Sequence, residues 1–97
     1  MVLAKVSKAL SDQNRMKILS YLSSGEKNVS TVADKLNMEE NLASHHLRVL
    51  ASLGFLKNEK KGREVFYKLN DKKIVSLIKD LKRNPAFREM LLRSLEE

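Results

Sequence analysis

Apolar residues recur at helical spacing through the first half of the chain and divide it into short helices. The first two apolar sets are Val2, Leu3, Val6, Ala9 and Leu10, then Met16, Ile18, Leu19, Tyr21 and Leu22. Each set recurs at helical spacing and so predicts an amphipathic helix. Ser11-Asp12 separates the two sets as a stop and an N-cap, and residues 23–25 close the second. A third helix is predicted over residues 31–36, between a cap within residues 28–30 and Asn37.

The segment from Asn41 to Gly54 has two faces that differ more sharply than those of any other segment. They separate when the segment is wound at about 100° per residue. The apolar face holds Leu42, Ala43, His46, Leu47, Val49, Leu50 and Leu53, and the polar face holds Glu40, Asn41, Ser44, His45, Arg48 and Ser52. A face that only meets water would more often carry Lys and Glu four residues apart. We therefore predict a helix over about residues 40–53 whose polar face recognises a partner.

After Gly54 the period changes from helical to alternating. Residues 55–59 and 64–69 are rich in aromatic and β-branched side chains and predict two strands of a β-hairpin. Between them lie the cations Lys60, Lys61 and Arg63 around one glycine. Such cations can protect an edge strand or contact phosphates. We favour phosphate contact and predict a basic wing over about residues 57–68.

Two more helices follow the wing. Asn70-Asp71 begins the first, and Asn84-Pro85 ends it and begins the second, because proline suits the first helical position after an asparagine cap. These helices and the first helix of the chain are more apolar than a domain of this size needs, so we predict a dimer interface. Its predicted residues are Leu3, Val6, Leu10, Ile74, Ile78, Leu81, Phe87, Leu91 and Leu95.

Composition narrows the class of partner. The chain has 97 residues and a net charge of +7, which favours an anionic partner, nucleic acid first and a membrane surface second. It has no cysteine, which excludes disulfides, thiolate metal sites and a cysteine redox switch. No apolar run approaches the roughly 18 residues of a membrane span. We expect a soluble, cytoplasmic protein with no membrane partner.

Together these elements predict a mostly α-helical fold with a small β-hairpin, a dimeric winged helix-turn-helix of the order α-α-α-α-β-β-α-α. Residues 1–97 would form a single domain, with a DNA-binding core over 12–69 and dimerisation helices over 1–11 and 71–97. In such a fold the recognition helix fits the major groove of double-stranded DNA, where each base pair presents distinct donors and acceptors. The wing reaches the neighbouring backbone.

Three sequence blocks resemble the arsenic-repressor-like (ArsR/SmtB) winged-helix family. They read D-Q-N-R-M-K-I-L-S-Y-L, A-S-H-H-L-R-V-L-A-S-L-G-F-L and K-K-G-R-E-V-F-Y-K-L, and they lie between Asp12 and Leu69. The resemblance implies a homodimeric transcriptional regulator, usually a repressor, with the first and post-wing helices at the dimer interface. By position, it implies DNA contacts from Asn41, Ser44, His45 and Arg48, with Lys61 and Arg63 at the wing tip.

Two features depart from the family pattern. Glu39 and Glu40 stand where relatives often have small polar residues; they suit a helix N-terminus but repel phosphates. Residues 28–34 lack the cysteines of metal-sensing relatives, and residues 71–97 contain no histidine, so zinc would be poorly held by the carboxylates there. We expect no metal, no cofactor and no cysteine-based sensing, and the sequence identifies no small-molecule effector.

The two adjacent histidines are predicted to play different roles. His45 and His46 point about 100° apart on a helix, so they cannot hold one ion together. His46 lies over the apolar face, and we interpret it as an imidazole at the edge of the core, hydrogen-bonded to backbone. His45 is predicted to be exposed.

Other functions compete with DNA-specific regulation. The sequence has no phosphate-cradling glycine loop, no nucleophile arrangement and no paired carboxylates in a plausible cleft, so we predict that it is not an enzyme. A membrane-surface role for the C-terminal helices is disfavoured because they alternate lysine with acids. The open alternative is a winged-helix module for protein–protein contact, or a protein that coats DNA without sequence preference.

Overall fold

Six helices and three short strands follow one another along the described chain. The computed structural model describes the backbone of residues 2–96; the side chains of residues 2–4, 7, 81, 90, 91 and 94–96 lie outside the description. The helices are α1 (Val2–Leu10), α2 (Gln13–Leu22), α3 (Val29–Lys35), α4 (Glu40–Ser52), α5 (Asp71–Arg83) and α6 (Pro85–Glu96). The strands are β1 (Lys27–Asn28), β2 (Leu56–Lys61) and β3 (Glu64–Leu69). All predicted helices and the hairpin are present.

Side-chain caps explain where several helices begin. Asp12, Asn28 and Asn84 precede α2, α3 and α6, and each accepts a hydrogen bond from a backbone N–H of the first turn, at 3.1, 2.8 and 3.0 Å. Because Asn28 is itself the cap, α3 begins at Val29, earlier than the predicted range of 31–36.

A tight turn at Asn37 sets the direction of α4 relative to α3. Asn37 has a φ of +52°, a left-handed conformation that asparagine tolerates better than most residues. The N–H of Met38 donates to the carbonyl of Ala33 at 3.0 Å, and that of Asn37 to Asp34 at 3.3 Å. This pair of bonds is a Schellman motif, which satisfies the last carbonyls of α3 and makes the turn of the helix-turn-helix.

The predicted hairpin is part of a three-stranded antiparallel sheet in the order β1-β3-β2. Lys61 pairs with Glu64, so the wing turn consists of Gly62 and Arg63 alone, and Gly62 has a φ of +64°. A glycine with positive φ at the first central position suits a two-residue hairpin turn. The additional strand β1, between α2 and α3, was not predicted, because two residues are too few to show an alternating pattern.

The hydrophobic core lies between α2, α3, α4 and the sheet. Its largest fully buried side chains are Ile18, Leu22, Val32, Leu47 and Leu50, and Phe55, Leu56 and Tyr67 close it from the side of the sheet. Two residues predicted to face inward do not: Met16 is 44% exposed and Leu42 is 42% exposed. Met16 is two residues from Ile18 and therefore points away from it, whereas Leu42 lies at the edge of the apolar arc, in the first turn of α4.

The residues predicted to form a dimer interface fall in different environments. Val6 is only 3% exposed, because it packs inside the core of its own chain and leaves little surface for a partner. Leu10 and Ile74 pack partly against that core, and Phe87 is half-buried. Ile78 is 45% exposed. Outside the described side chains lie Leu3, Leu81, Leu91 and Leu95.

Candidate nucleic-acid interface

The polar face of α4 points away from the core because its opposite face is fully buried. Ala43, Leu47 and Leu50 are completely inaccessible to solvent and fix the rotation of the helix. The residues left exposed are Glu40, Asn41, Leu42, His45, Arg48 and Ser52, while Ser44 is half-buried. Four residues predicted to contact DNA therefore lie on the outer side of one helix, as the sequence pattern requires.

A groove of about 390 Å³ joins α4 to the wing turn. It is lined by Asn28, Val29, Ser30, Glu40, Asn41, Ser44, Arg63, Glu64 and Val65. The fold thus brings Asn41 and Ser44 of α4 into one concave surface with Arg63 of the wing turn. The amide of Asn28 donates to the Glu64 carboxylate at 3.2 Å, which holds the start of β3 against the N-cap of α3.

Arg48 lies along its own helix. Its Nε–H donates to the backbone carbonyl of Ser44 at 3.3 Å, and the side chain is otherwise exposed. The positive charge of Arg48 also affects Tyr67, a core residue of β3. Burial raises the pKa of the Tyr67 hydroxyl, and the charge of Arg48 partly offsets this rise. Arg48 is thus an exposed cation whose side chain is held against its own helix.

The three wing cations differ in their surroundings. Lys61 Nζ lies 2.6 Å from Oε1 of Glu26 and 4.9 Å from the centre of the Phe66 ring. The hydrogen bond to Glu26 raises the pKa of Lys61. Lys60 and Arg63 are exposed and make no ion pair with the described side chains. Lys61, predicted as a phosphate contact, is thus partly neutralised within its own chain, and Glu26 is a site residue that no sequence pattern singles out.

His46 is buried, as predicted, but its partner is a side chain and not the backbone. Only 5% of the residue is exposed, and its Nδ1 accepts a hydrogen bond from Nε of Arg15 at 3.1 Å. Burial lowers the pKa of His46; the Asp12 carboxylate opposes this shift, and the charges of Arg15 and His45 reinforce it. The imidazole is therefore neutral and ties α2 to α4. Because 31 positions separate Arg15 from His46, the sequence carries no local signal for this contact.

No metal centre is evident among the described residues. They include no group of three or more histidine, cysteine or acidic side chains close enough to hold an ion. His45 and His46 have ring centres 5.7 Å apart with an interplanar angle of 54°, and the Nδ1 of His46 is already engaged by Arg15.

None of the described helices is long and apolar enough to cross a membrane.

Comparison with known proteins supplies independent observations. The sequence model described as "Bacterial regulatory protein, arsR family" matches residues 12–58. A "Cadmium resistance transcriptional regulatory protein CadC homolog" from Staphylococcus aureus is 46% identical over 79 residues, covering 80% of this chain and 65% of that protein. This chain therefore spans slightly less than two thirds of that relative's length. The transcriptional repressor SdpR from Bacillus subtilis is 35% identical over 65 residues, covering 67% of this chain and 72% of that protein.

Similarity extends to solved structures. A winged helix-turn-helix DNA-binding domain from Mycobacterium bovis, described as homodimeric and as a possible ArsR-family transcriptional regulator, has a TM-score of 0.73 to this chain at 26% identity. The match covers 99% of this chain and 81% of the Mycobacterium chain. It therefore includes α5 and α6 as well as the helix-turn-helix and the wing.

Proposed function

Because the chain belongs to the arsR family of bacterial regulatory proteins, we propose that it acts as a homodimeric repressor that binds a specific site on double-stranded DNA. Membership makes the chain a transcriptional regulator with a winged helix-turn-helix fold and not an enzyme. It confirms the family, the fold class and the absence of enzymatic function that were predicted from the sequence. The DNA site, the dimer and the direction of regulation are what the proposal adds.

The continuous polar surface of α4 and the wing turn carries the proposal. Asn41, His45 and Arg48 face outward on α4, and the groove beside them is shared with Arg63. Arginine can donate two hydrogen bonds to guanine, and asparagine can pair in a similar way with adenine, through the major groove. Arg63 and Lys60 supply charge for neighbouring phosphates. One surface thus combines groups that distinguish bases with groups that bind any backbone.

Exposed apolar residues on α5 and α6 support a homodimer. Val75, Ile78 and Leu92 leave about half of their surface uncovered in the single chain. A second copy would cover these side chains by the same surface on both partners, as in most two-fold dimers. In this proposal residues 12–69 form the DNA-binding core of one domain over 1–97, and residues 1–11 and 71–97 form its dimerisation helices. Two recognition helices would then occupy major grooves about one helical turn apart.

Glu39 and Glu40 shape the affinity that this surface can have. Both are exposed at the N-terminus of α4, where their negative charges interact favourably with the helix dipole. The same charges repel phosphates, and Glu40 also lines the groove beside Asn41. Binding to arbitrary duplex DNA is weakened by this repulsion, so base contacts have to supply a larger share of the affinity for the preferred site.

We do not assign the metal response of a relative to this chain. The Staphylococcus protein is described by cadmium resistance, but this chain contains no cysteine. Cadmium and zinc sensors commonly rely on thiolate or imidazole ligands. We therefore propose no cysteine-based metal or redox sensing by these residues, and no effector is assigned.

Selection of bound fragments from random duplex DNA tests the proposed function. We expect an enriched inverted repeat whose two halves lie about one helical turn apart. Arg48→Ala should weaken binding to that repeat by about 1–3 kcal/mol, the value of a good bidentate base contact, with a much smaller loss on scrambled duplex. Fluorescence anisotropy at fixed salt measures both affinities, and Lys17→Ala, an exposed cation of α2 outside this surface, is the matched control.

Each other outcome contradicts part of the proposal. An equal loss on both duplexes would make Arg48 a phosphate contact. Tight binding with no enriched repeat would favour a DNA-coating protein, since the net charge of +7 supplies affinity without specificity. Absence of DNA binding at low salt would favour a protein-interaction module.

A further inference from the structure

Leu42 is an exposed apolar side chain within the polar surface of α4. It lies in the first turn of the helix, between Asn41 and the buried Ala43, and 42% of its surface is uncovered. The sequence pattern predicts it to be part of the core, but it is not among the buried or partly buried residues that form the core. An isolated apolar residue on a protein surface is common and needs no explanation by itself. The position of Leu42 is what gives it significance.

Leu42 lies at one edge of the polar surface of α4. His45 follows it by three residues and shares its side of the helix. About 200° of helical rotation separates Leu42 from Ser44, which lines the groove on the wing side. His46, one turn further along, contacts Arg15 of α2. Leu42 therefore marks the α2 side of the exposed arc, and Arg63 lies beyond the opposite side.

The major groove offers one apolar feature to such a side chain. Thymine carries a 5-methyl group there, and the other base edges present donors and acceptors. Residues in the first turns of a recognition helix are those that approach base edges most closely. A leucine cannot donate or accept a hydrogen bond, so its favourable contact in this groove is burial against a methyl group.

We propose that Leu42 is a specificity-determining residue that contacts the 5-methyl group of a thymine in each half-site. This inference rests on the proposed function. Asn41, His45 and Arg48 supply the hydrogen bonds of recognition, and Leu42 supplies an apolar contact that selects T over C at one position. Cytosine at that position would present an amino group without a methyl group and would leave the leucine against a polar edge.

Replacing thymine by deoxyuridine tests this contact, because deoxyuridine lacks only the methyl group and pairs in the same way. Each thymine of the selected repeat is replaced in turn, symmetrically in both half-sites. For the wild-type chain we expect one position at which the replacement weakens binding about fourfold per half-site, the value of one buried methylene group. For Leu42→Ala we expect weaker binding to the thymine duplex and no further loss on the deoxyuridine duplex.

Met16→Ala is the matched control, because Met16 of α2 is also apolar and is 44% exposed. It should keep the full response to deoxyuridine. Leu42→Gln is a second variant that preserves helix propensity and should lose the response in the same way as Leu42→Ala. Thermal unfolding confirms that each variant is folded before binding is measured.

The outcomes separate the failure of this contact from the failure of the proposed function. An enriched repeat with no deoxyuridine response in the wild-type chain overturns the contact alone. So does a response of equal size in the wild-type chain and in Leu42→Ala, which would assign the methyl group to another residue or to DNA shape. Absence of any enriched repeat overturns the proposed function and, with it, the contact.

Discussion

The hydrogen bond from Arg15 to His46 joins α2 to α4. Arg15 lies in the first turn of α2, where its own backbone N–H donates to the Asp12 cap. The Asp12 carboxylate, whose pKa is lowered by that bond, also attracts a proton toward His46. The charges and hydrogen bonds of Asp12, Arg15 and His46 are therefore linked, so a change in one of these residues affects the other two.

The free energy of unfolding should depend on pH through His46. Burial holds the pKa of its imidazole below the usual 6.5 in the folded chain, whereas the unfolded chain takes up a proton near 6.5. Stability is therefore fully present above that pH and decreases as the pH falls below it. In His46→Gln, which keeps a neutral acceptor for Arg15, we expect a weaker pH dependence between about pH 7.5 and 5, a range that brackets the reference value of His.

Urea unfolding at several pH values measures this dependence. Asn41→Gln is the control, because it exchanges one uncharged amide for another at an exposed position of α4, and it should unfold with the pH dependence of the wild-type chain. Parallel curves for His46→Gln and the wild-type chain would show that folding does not shift the pKa of His46, and would contradict this prediction.

For His46, the sequence predicted the burial of the side chain but not its hydrogen-bond partner. The spacing of His46 with Ala43 and Leu50 predicted an inward position, because helical periodicity is local. Arg15 is distant in sequence, so its contact depends on how α2 and α4 pack. The prediction that Leu42 belongs to the core was wrong for a related reason. Helical periodicity gives the direction of a side chain, but it does not show whether a neighbouring helix extends far enough to cover it.

Among the elements, the wing is bound to the body of the protein by strand pairing and by side-chain contacts. β1 pairs with β3, with Lys27 opposite Tyr67 and Asn28 opposite Phe66. Lys61 contacts Glu26, at 2.6 Å between Nζ and Oε1. The hairpin was predictable from its alternating residues and its glycine turn. Its attachment was not, because the two residues of β1 acquire strand geometry only through pairing.

The salt dependence of DNA binding should distinguish the wing cations. Arg63→Ala and Lys60→Ala should each reduce the slope of log affinity against log salt by about 0.9 for every phosphate that is no longer neutralised, counted over both protomers. Lys61→Ala should reduce it less, because Glu26 already neutralises that charge. Anisotropy titrations across a range of salt concentrations measure the slopes. A reduction in Lys61→Ala as large as that in Arg63→Ala would mean that Lys61 leaves Glu26 for DNA.

At the scale of the whole molecule, the chain is elongated, with extents of 45 × 24 × 24 Å. α5 and α6 extend the body and expose Val75, Ile78 and Leu92. A short chain whose post-wing helices leave such residues uncovered is expected to gain stability from association. The helices themselves were predictable from their caps and periodicity, whereas the covering surface belongs to another molecule and has no local signature.

Ile78→Glu should separate the proposed dimer. Full burial of an isoleucine stabilises by about 1.5–3 kcal/mol. Because 45% of Ile78 is exposed in the single chain, roughly half of that value is available from each copy, so loss of two copies should weaken association by about tenfold or more. Sedimentation or light scattering at micromolar concentration gives the mass. Ser76→Glu, an exposed polar position on α5 with the same change of charge, should remain dimeric. A monomeric wild-type chain, or a dimeric Ile78→Glu, would contradict the proposed interface.

Strand β1 would also change the entropic cost of the DNA contact that we propose for the wing. A free hairpin would lose conformational entropy when it settled on a phosphate backbone, and that loss would subtract from the affinity. Here the pairing of β1 with β3 and the bond from Asn28 to Glu64 order the hairpin during folding. The wing turn is therefore ordered before binding, and in the proposed complex less of its attraction for phosphates would be offset by lost conformational entropy.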